Sequence, residues 1–142
     1  MNTQTDTDNA PAYGFTTKLV GQSLAEARPR VEQALKEQGF GVLTEIDVQA
    51  TLKKKLGAEL RPYVILGACN PELAHRALSG DLGVGLLLPC NVALWGEDDG
   101  TVVSIADPQA MFQVVNDPRL QPIADEAERR LQAAFESLVR GS

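Results

Sequence analysis

Aromatic residues are scarce in this sequence, at 5% of 142 positions. A core built from it must be filled by Leu, Val, Ile and Ala. Histidine is rarer still. His75 is the one in the chain, so a metal centre with several imidazoles from a single chain is excluded. Basic charge is also in short supply: 13 Lys and Arg stand against 19 Asp and Glu, for a formal net charge of −6. Nucleic acid and anionic membrane both call for a basic surface, so no nucleic acid and no membrane is expected as a partner. The densest basic run, Lys53-Lys54-Lys55, reads as a solvated helix face. The longest apolar run, around Val84 to Leu88, falls far short of the ~20 residues a membrane-spanning helix needs. No basic-then-apolar leader pattern opens the chain, and a cytoplasmic protein is expected. Neither a P-loop nor a Cys-x-x-Cys occurs. Gly39-Phe40-Gly41 and Gly83-Val84-Gly85 each lack the third glycine of a dinucleotide fingerprint.

What is present suits one globular domain. Hydrophobic residues make up 44% and charged residues 23%, ordinary values for a folded domain. Residues 1–12 are polar and without periodicity, so a disordered N-terminal tail is expected there, followed by a single domain over 13–142. From Tyr13 apolar and polar positions alternate, the period of a half-buried strand. Ser23 and Glu26 then form a capping box for a helix that Gly39 ends. Pro29 inside it predicts either a later start or a bend. Strands are expected over Phe40 to Asp47 and Arg61 to Cys69, with a short lysine-bearing helix between them. Asn70-Pro71 opens a further helix. Val84 to Leu88 is expected as a fourth strand, interrupted at Pro89-Cys90 and continued from Asn91 to Glu97. Asp98-Asp99-Gly100 signals a hairpin, and Thr101 to Ala106 returns from it. Asp107-Pro108 and Asp117-Pro118 each open a helix. The last of these is strongly amphipathic, and Asp125/Arg129 and Glu126/Arg130 stand at i, i+4 along it. The fold class is α+β: a compact α/β sandwich whose mixed or antiparallel sheet of about five strands has helices packed on one face.

Candidate chemistry centres on Cys69 and Cys90, which a reducing compartment keeps as thiols. Cys69 ends a strand just before a helix start, where the helix dipole favours a thiolate. Both cysteines are followed by asparagine, Asn70 and Asn91. If their strands are neighbours, the sulfurs meet and can hold a soft metal such as Cu or Zn, or form a redox disulfide. His75, one turn into the following helix, is the candidate third metal ligand, and its plainer reading is a solvent-facing side chain. Glu45 and Asp47 alternate along one strand, which suits either an acid/base pair or solvated edge carboxylates. Trp95 reads as a sheet-face packing residue. Three function classes follow. The first is a binding module for a small-molecule ligand or soft metal near Cys69, Asn70, Cys90, Asn91 and Glu45. The second is a thiol enzyme or redox protein. The third is a structural protein whose cysteines are core residues.

Several segments together resemble one family: Gly39-Phe40-Gly41-Val42-Leu43-Thr44-Glu45-Ile46-Asp47-Val48, Thr51-Leu52-Lys53, Gly67-Ala68-Cys69-Asn70-Pro71, Leu87-Leu88-Pro89-Cys90-Asn91 and Ala106-Asp107-Pro108. The family is the bacterial and archaeal one known as domain of unknown function 302, and the resemblance runs from about Tyr13 to Leu138. It implies a compact α/β sandwich and a homodimer, with Cys69 and Cys90 at its most characteristic positions. It implies no reaction.

Overall fold

A computed structural model describes residues 11–141 of the chain. The expected tail lies outside the described residues except for Pro11 and Ala12. In chain order the elements are β1 (Gly14–Val20), α1 (Leu24–Glu37), β2 (Gly41–Asp47), α2 (Val48–Leu56), β3 (Tyr63–Cys69), α3 (Pro71–Gly80), β4 (Cys90–Glu97), β5 (Gly100–Ala106), α4 (Pro108–Phe112) and α5 (Gln121–Gly141). Short 3-10 segments at Leu82–Leu87 and Pro118–Leu120 lead into β4 and α5.

The five strands form one sheet in the order β1-β5-β4-β3-β2. Every neighbouring pair is antiparallel, so the sheet is antiparallel rather than mixed. The two-residue period of each strand sorts its side chains between two faces. Leu19, Leu66, Ala68, Val92, Leu94, Val103 and Ile105 turn to one face and are wholly buried in the core. The amphipathic helices α1 and α5 cover that face, contributing Val31, Leu35, Leu131 and Leu138. The core cluster takes no strand residue from the opposite face. There Trp95 stacks on its cross-strand partner Tyr63, with ring centroids 5.6 Å apart and planes 11° apart.

Helix α1 begins where its capping box directs it: Ser23 Oγ accepts from the Glu26 N–H, and Glu26 Oε1 accepts from the Ser23 N–H. It does not start later to avoid Pro29, which sits inside it. Pro29 is exposed, and so is Ala25, whose carbonyl loses its partner four residues on. The unpaired carbonyl therefore faces the solvent side, where water can serve it.

Two expectations need correction. Val84 to Leu88 is not a strand, because Leu82–Leu87 winds as a 3-10 segment and β4 begins at Cys90. Gly83 and Gly85 weaken an extended run, and Asp81 Oδ1 accepts from the Gly83 N–H at 2.9 Å. Val84 alone of the segment is buried, while Leu82 and Leu86 are 84% and 93% exposed. On α5, Glu126 pairs with Arg130 at 2.7 Å and also with Arg129. Asp125 instead accepts from the side-chain amides of Gln109 and Gln121. Among the described residues no helix is long and apolar enough to cross a membrane.

Candidate functional site

At one end of the sheet β3 stops at Cys69 and β4 starts at Cys90. In the antiparallel register Ala68 stands opposite Cys90, which places Cys69 one residue further along β3 and opposite Gly41 of β2. Cys90 falls on the covered face with Val92 and Leu94 and packs against the core. Asn70, which follows Cys69, is the N-cap of α3. Its Oδ1 accepts from the Leu73 N–H at 3.0 Å, and Pro71 fills the first helical position, which needs no N–H donor. Asn70 is one of two buried polar residues among those described. The fit around it is close. Gly39 has φ +85, and a Cβ there would lie 2.9 Å from Asn70 Nδ2 and 3.2 Å from Arg130 Nη1. The glycine thus serves both the left-handed backbone and the approach of the amide.

Cys69, Asn70 and Cys90 line a common pocket of about 30 Å³. Phe40, Leu73, Phe112 and Ile123 complete its apolar wall. That volume admits two or three water-sized groups at about 10–15 Å³ each. Both cysteines are free thiols. Burial pushes the Cys90 thiol up to about 11, with the charge that Cys69 would carry adding to the rise. Burial also raises Cys69. The thiolate expected at the helix start is therefore not favoured. Cys69 precedes the N-cap, and the Asn70 side chain rather than the sulfur accepts from the Leu73 N–H.

The other sequence candidates lie elsewhere. Asn91 is exposed and sits opposite Gly67, pointing away from the face that Cys90 joins. His75 is exposed on α3 and does not line the pocket. No group of three His, Cys, Asp or Glu suited to a metal ion occurs among the described residues. Glu45 is tied to Arg28 of α1 through Nε at 3.0 Å and Nη2 at 2.6 Å. Asp47 caps α2 by accepting from the Ala50 N–H. Neither belongs to an acid/base pair at the pocket. Sequence reasoning missed the aromatic wall. With four Phe in the whole chain, Phe40 beside the glycine pair and Phe112 after Asp107-Pro108 stood out enough to deserve a role.

The sequence model of a family described as domain of unknown function DUF302 matches residues 15–138. Among solved structures, the crystal structure of an uncharacterized conserved protein DUF302 from Bacillus stearothermophilus is 35% identical in sequence. The match has a TM-score of 0.80 and covers 89% of this chain and 98% of that one. Among curated proteins none matches.

Proposed function

We propose, from the premise that this chain belongs to the family described as domain of unknown function DUF302, that it is a binding module. Its ligand is a small molecule whose apolar or sulfur-seeking end enters the pocket between Cys69 and Cys90. One observation carries the reading. Two thiols from different strands and the buried Asn70 amide meet on a single apolar pocket that opens at the surface. Apolar walls with a few placed polar groups are the usual make-up of a small-molecule site. The working unit in this reading is a homodimer in the cytoplasm, where the thiols stay reduced. The exposed edge strand β2, with Leu43 and Ile46 68% and 50% exposed, supports an assembly of copies. Sedimentation that returns a monomer at all concentrations removes the dimer and leaves the module.

A second reading draws on the closeness of the two thiols, since the charge that Cys69 would carry adds to the cost of ionising Cys90. Two sulfurs suit a soft monovalent ion such as Cu(I) better than a zinc ion that wants four ligands. The Cys69 and Cys90 sulfurs would hold such an ion, and binding would release their protons. The thiol-enzyme reading has less support, because a nucleophilic cysteine needs a lowered pKa and both thiols are raised.

The test uses two probes on the reduced protein, xenon for the apolar pocket and Cu(I) in a chelator competition for the sulfurs. Xenon is expected to shift the backbone resonances of Cys69, Asn70 and Ala127. The Cys69→Ser/Cys90→Ser variant is expected to lose any Cu(I) affinity. If neither probe perturbs these residues and iodoacetamide reaches the thiols only after unfolding, the cysteines are packing residues and the binding reading is abandoned.

A further inference from the structure

A second cavity, of about 690 Å³, lies between α4, the Pro118–Leu120 turn and the first turns of α5. Its volume sits well inside the roughly 300–1,000 Å³ range of small-molecule sites. Its chemistry differs from that of the cysteine pocket. Four carboxamides line it, from Gln109, Gln113, Asn116 and Gln121. Two of them are held in place: Gln109 Nε2 donates to Asp125 Oδ1 at 2.5 Å, and Gln121 Nε2 donates to Gln109 Oε1 and Asp125 Oδ1, both at 2.8 Å. The amides of Gln113 and Asn116 make no hydrogen bond among the described residues, so each offers a donor and an acceptor to a ligand.

The charges narrow the ligand class. No Lys or Arg lines the cavity. The nearby Arg119 is engaged by Asp117, with Nη2 at 2.7 Å from Oδ2. An anion would therefore meet carboxylates without a cation to hold it. The carboxylates are themselves occupied: Asp107 accepts from the Gln109 N–H, and Asp117 from the Arg119 N–H and guanidinium. That leaves little uncompensated charge for a cationic ligand. Beneath the amides, Phe112 and Leu120 give an apolar floor. Paired donors and acceptors above an apolar surface match a molecule with a ring of hydroxyls and a C–H face.

We infer that this cavity is a binding site for a neutral, hydroxyl-rich molecule of sugar size. The inference stands apart from the cysteine-pocket reading, although Phe112 lines both cavities.

The test is an NMR titration of the full chain with three probes: N-acetylglucosamine as the neutral polyol, spermidine as a cation and inorganic phosphate as an anion. N-acetylglucosamine is expected to shift the side-chain amide resonances of Gln109, Gln113, Asn116 and Gln121 saturably, and the backbone signals of Cys69 and Cys90 to stay in place. The Gln113→Ala/Asn116→Gly variant removes two exposed side chains without hydrogen bonds, and glycine accepts the φ of +54 at position 116. It is expected to fold normally and to bind about tenfold more weakly, as the loss of one or two hydrogen bonds implies. Stronger shifts from spermidine or phosphate, equal binding by the variant, or no saturable shift from any probe overturns the assignment.

Discussion

The two faces of the sheet are cut from the same five strands, yet they follow different rules. On the covered face the strand residues interlock with α1 and α5, and Leu66, Val92, Leu94, Val103 and Ile105 are fully buried. On the bare face only cross-strand neighbours are available. Val102 shows that these can suffice. It is wholly buried although it lies outside the helix-packed core cluster, flanked in register by Trp95 on β4 and Lys18 on β1. Trp95 leans on Tyr63, and Lys18 reaches Asp99 at 3.0 Å with its side chain only 11% exposed. Alternation along a strand thus assigns a residue to a face, while its neighbours decide how far it is buried.

The comparison predicts unequal costs for adjacent residues of β3. Leu66→Ala on the covered face opens a cavity beneath packed helices and is expected to cost about 2–5 kcal/mol. Ile65→Ala on the bare face is half-buried among cross-strand partners and is expected to cost about 1 kcal/mol. Urea unfolding of both variants checks the difference, and equal losses would break the distinction between the faces.

Cys90 carries the comparison into pH. Its folded pKa is raised from 9.0 to about 11, so the fold prefers the protonated thiol. That stabilisation is complete below about pH 9 and is lost as pH rises through about 11. At roughly 1.4 kcal/mol per unit, the loss approaches about 2–3 kcal/mol. Cys90→Ala removes it. The stability gap between the parent and this variant should narrow across pH 9–11 in urea titrations. A gap independent of pH would mean the thiol is not held in an apolar setting.

The bare face has a second place where it behaves like a core. Gly67 faces it between Thr44 and the ring of Pro89, and a Cβ there would collide with Thr44 Oγ1 and come within 2.8 Å of Pro89 Cγ. The threonine can rotate away, but the proline ring cannot. Gly67→Ala is expected to cost about 1–3 kcal/mol, as overpacking does. Adding Thr44→Ala should restore only part of it. Full tolerance of Gly67→Ala would show that the β3–β4 corner is loose.

Much of the fold was legible because its signals were local. The capping box at Ser23, the Asn70-Pro71 and Asp107-Pro108 helix starts and the hairpin at Asp98-Asp99-Gly100 each act over three or four residues, and each is realised. The strand expected at Val84 to Leu88 does not form, because its glycines and the Asp81 cap outweigh its apolar content. The site was half legible. Cys69, Asn70 and Cys90 do line one pocket, since both cysteines lie at strand ends that the antiparallel register brings together. His75 and Asn91 neighbour the cysteines in sequence, but helix rotation and strand alternation turn them away, while Glu45 is held by Arg28 of α1. Phe40 and Phe112 belong to a pocket wall assembled from distant elements, for which the scarcity of phenylalanine is the one signal in the sequence.

The two Cys-Asn steps offer the finest version of the same comparison. In sequence they look like a repeated device, but only one asparagine has a partner. Asn70 is buried, accepts from the Leu73 N–H as N-cap of α3, and packs its amide against Gly39. Asn91 is exposed on the bare face and its side chain makes no hydrogen bond among the described residues. Asn70→Ala is expected to cost about 1 kcal/mol, the usual loss for an N-cap, with a larger value if the emptied space is not refilled. Asn91→Ala should stay within about 0.5 kcal/mol of the parent, as isolated surface changes do. Asn70→Asp keeps the capping acceptor and exchanges the amide NH2 for an acceptor oxygen beside Gly39. It should therefore retain helix α3 by circular dichroism while changing the backbone signals of Gly39 and Phe40. If Asn91→Ala proves as costly as Asn70→Ala, the two steps are equivalent after all, and Asn91 must then be sought in a contact that the isolated chain does not make.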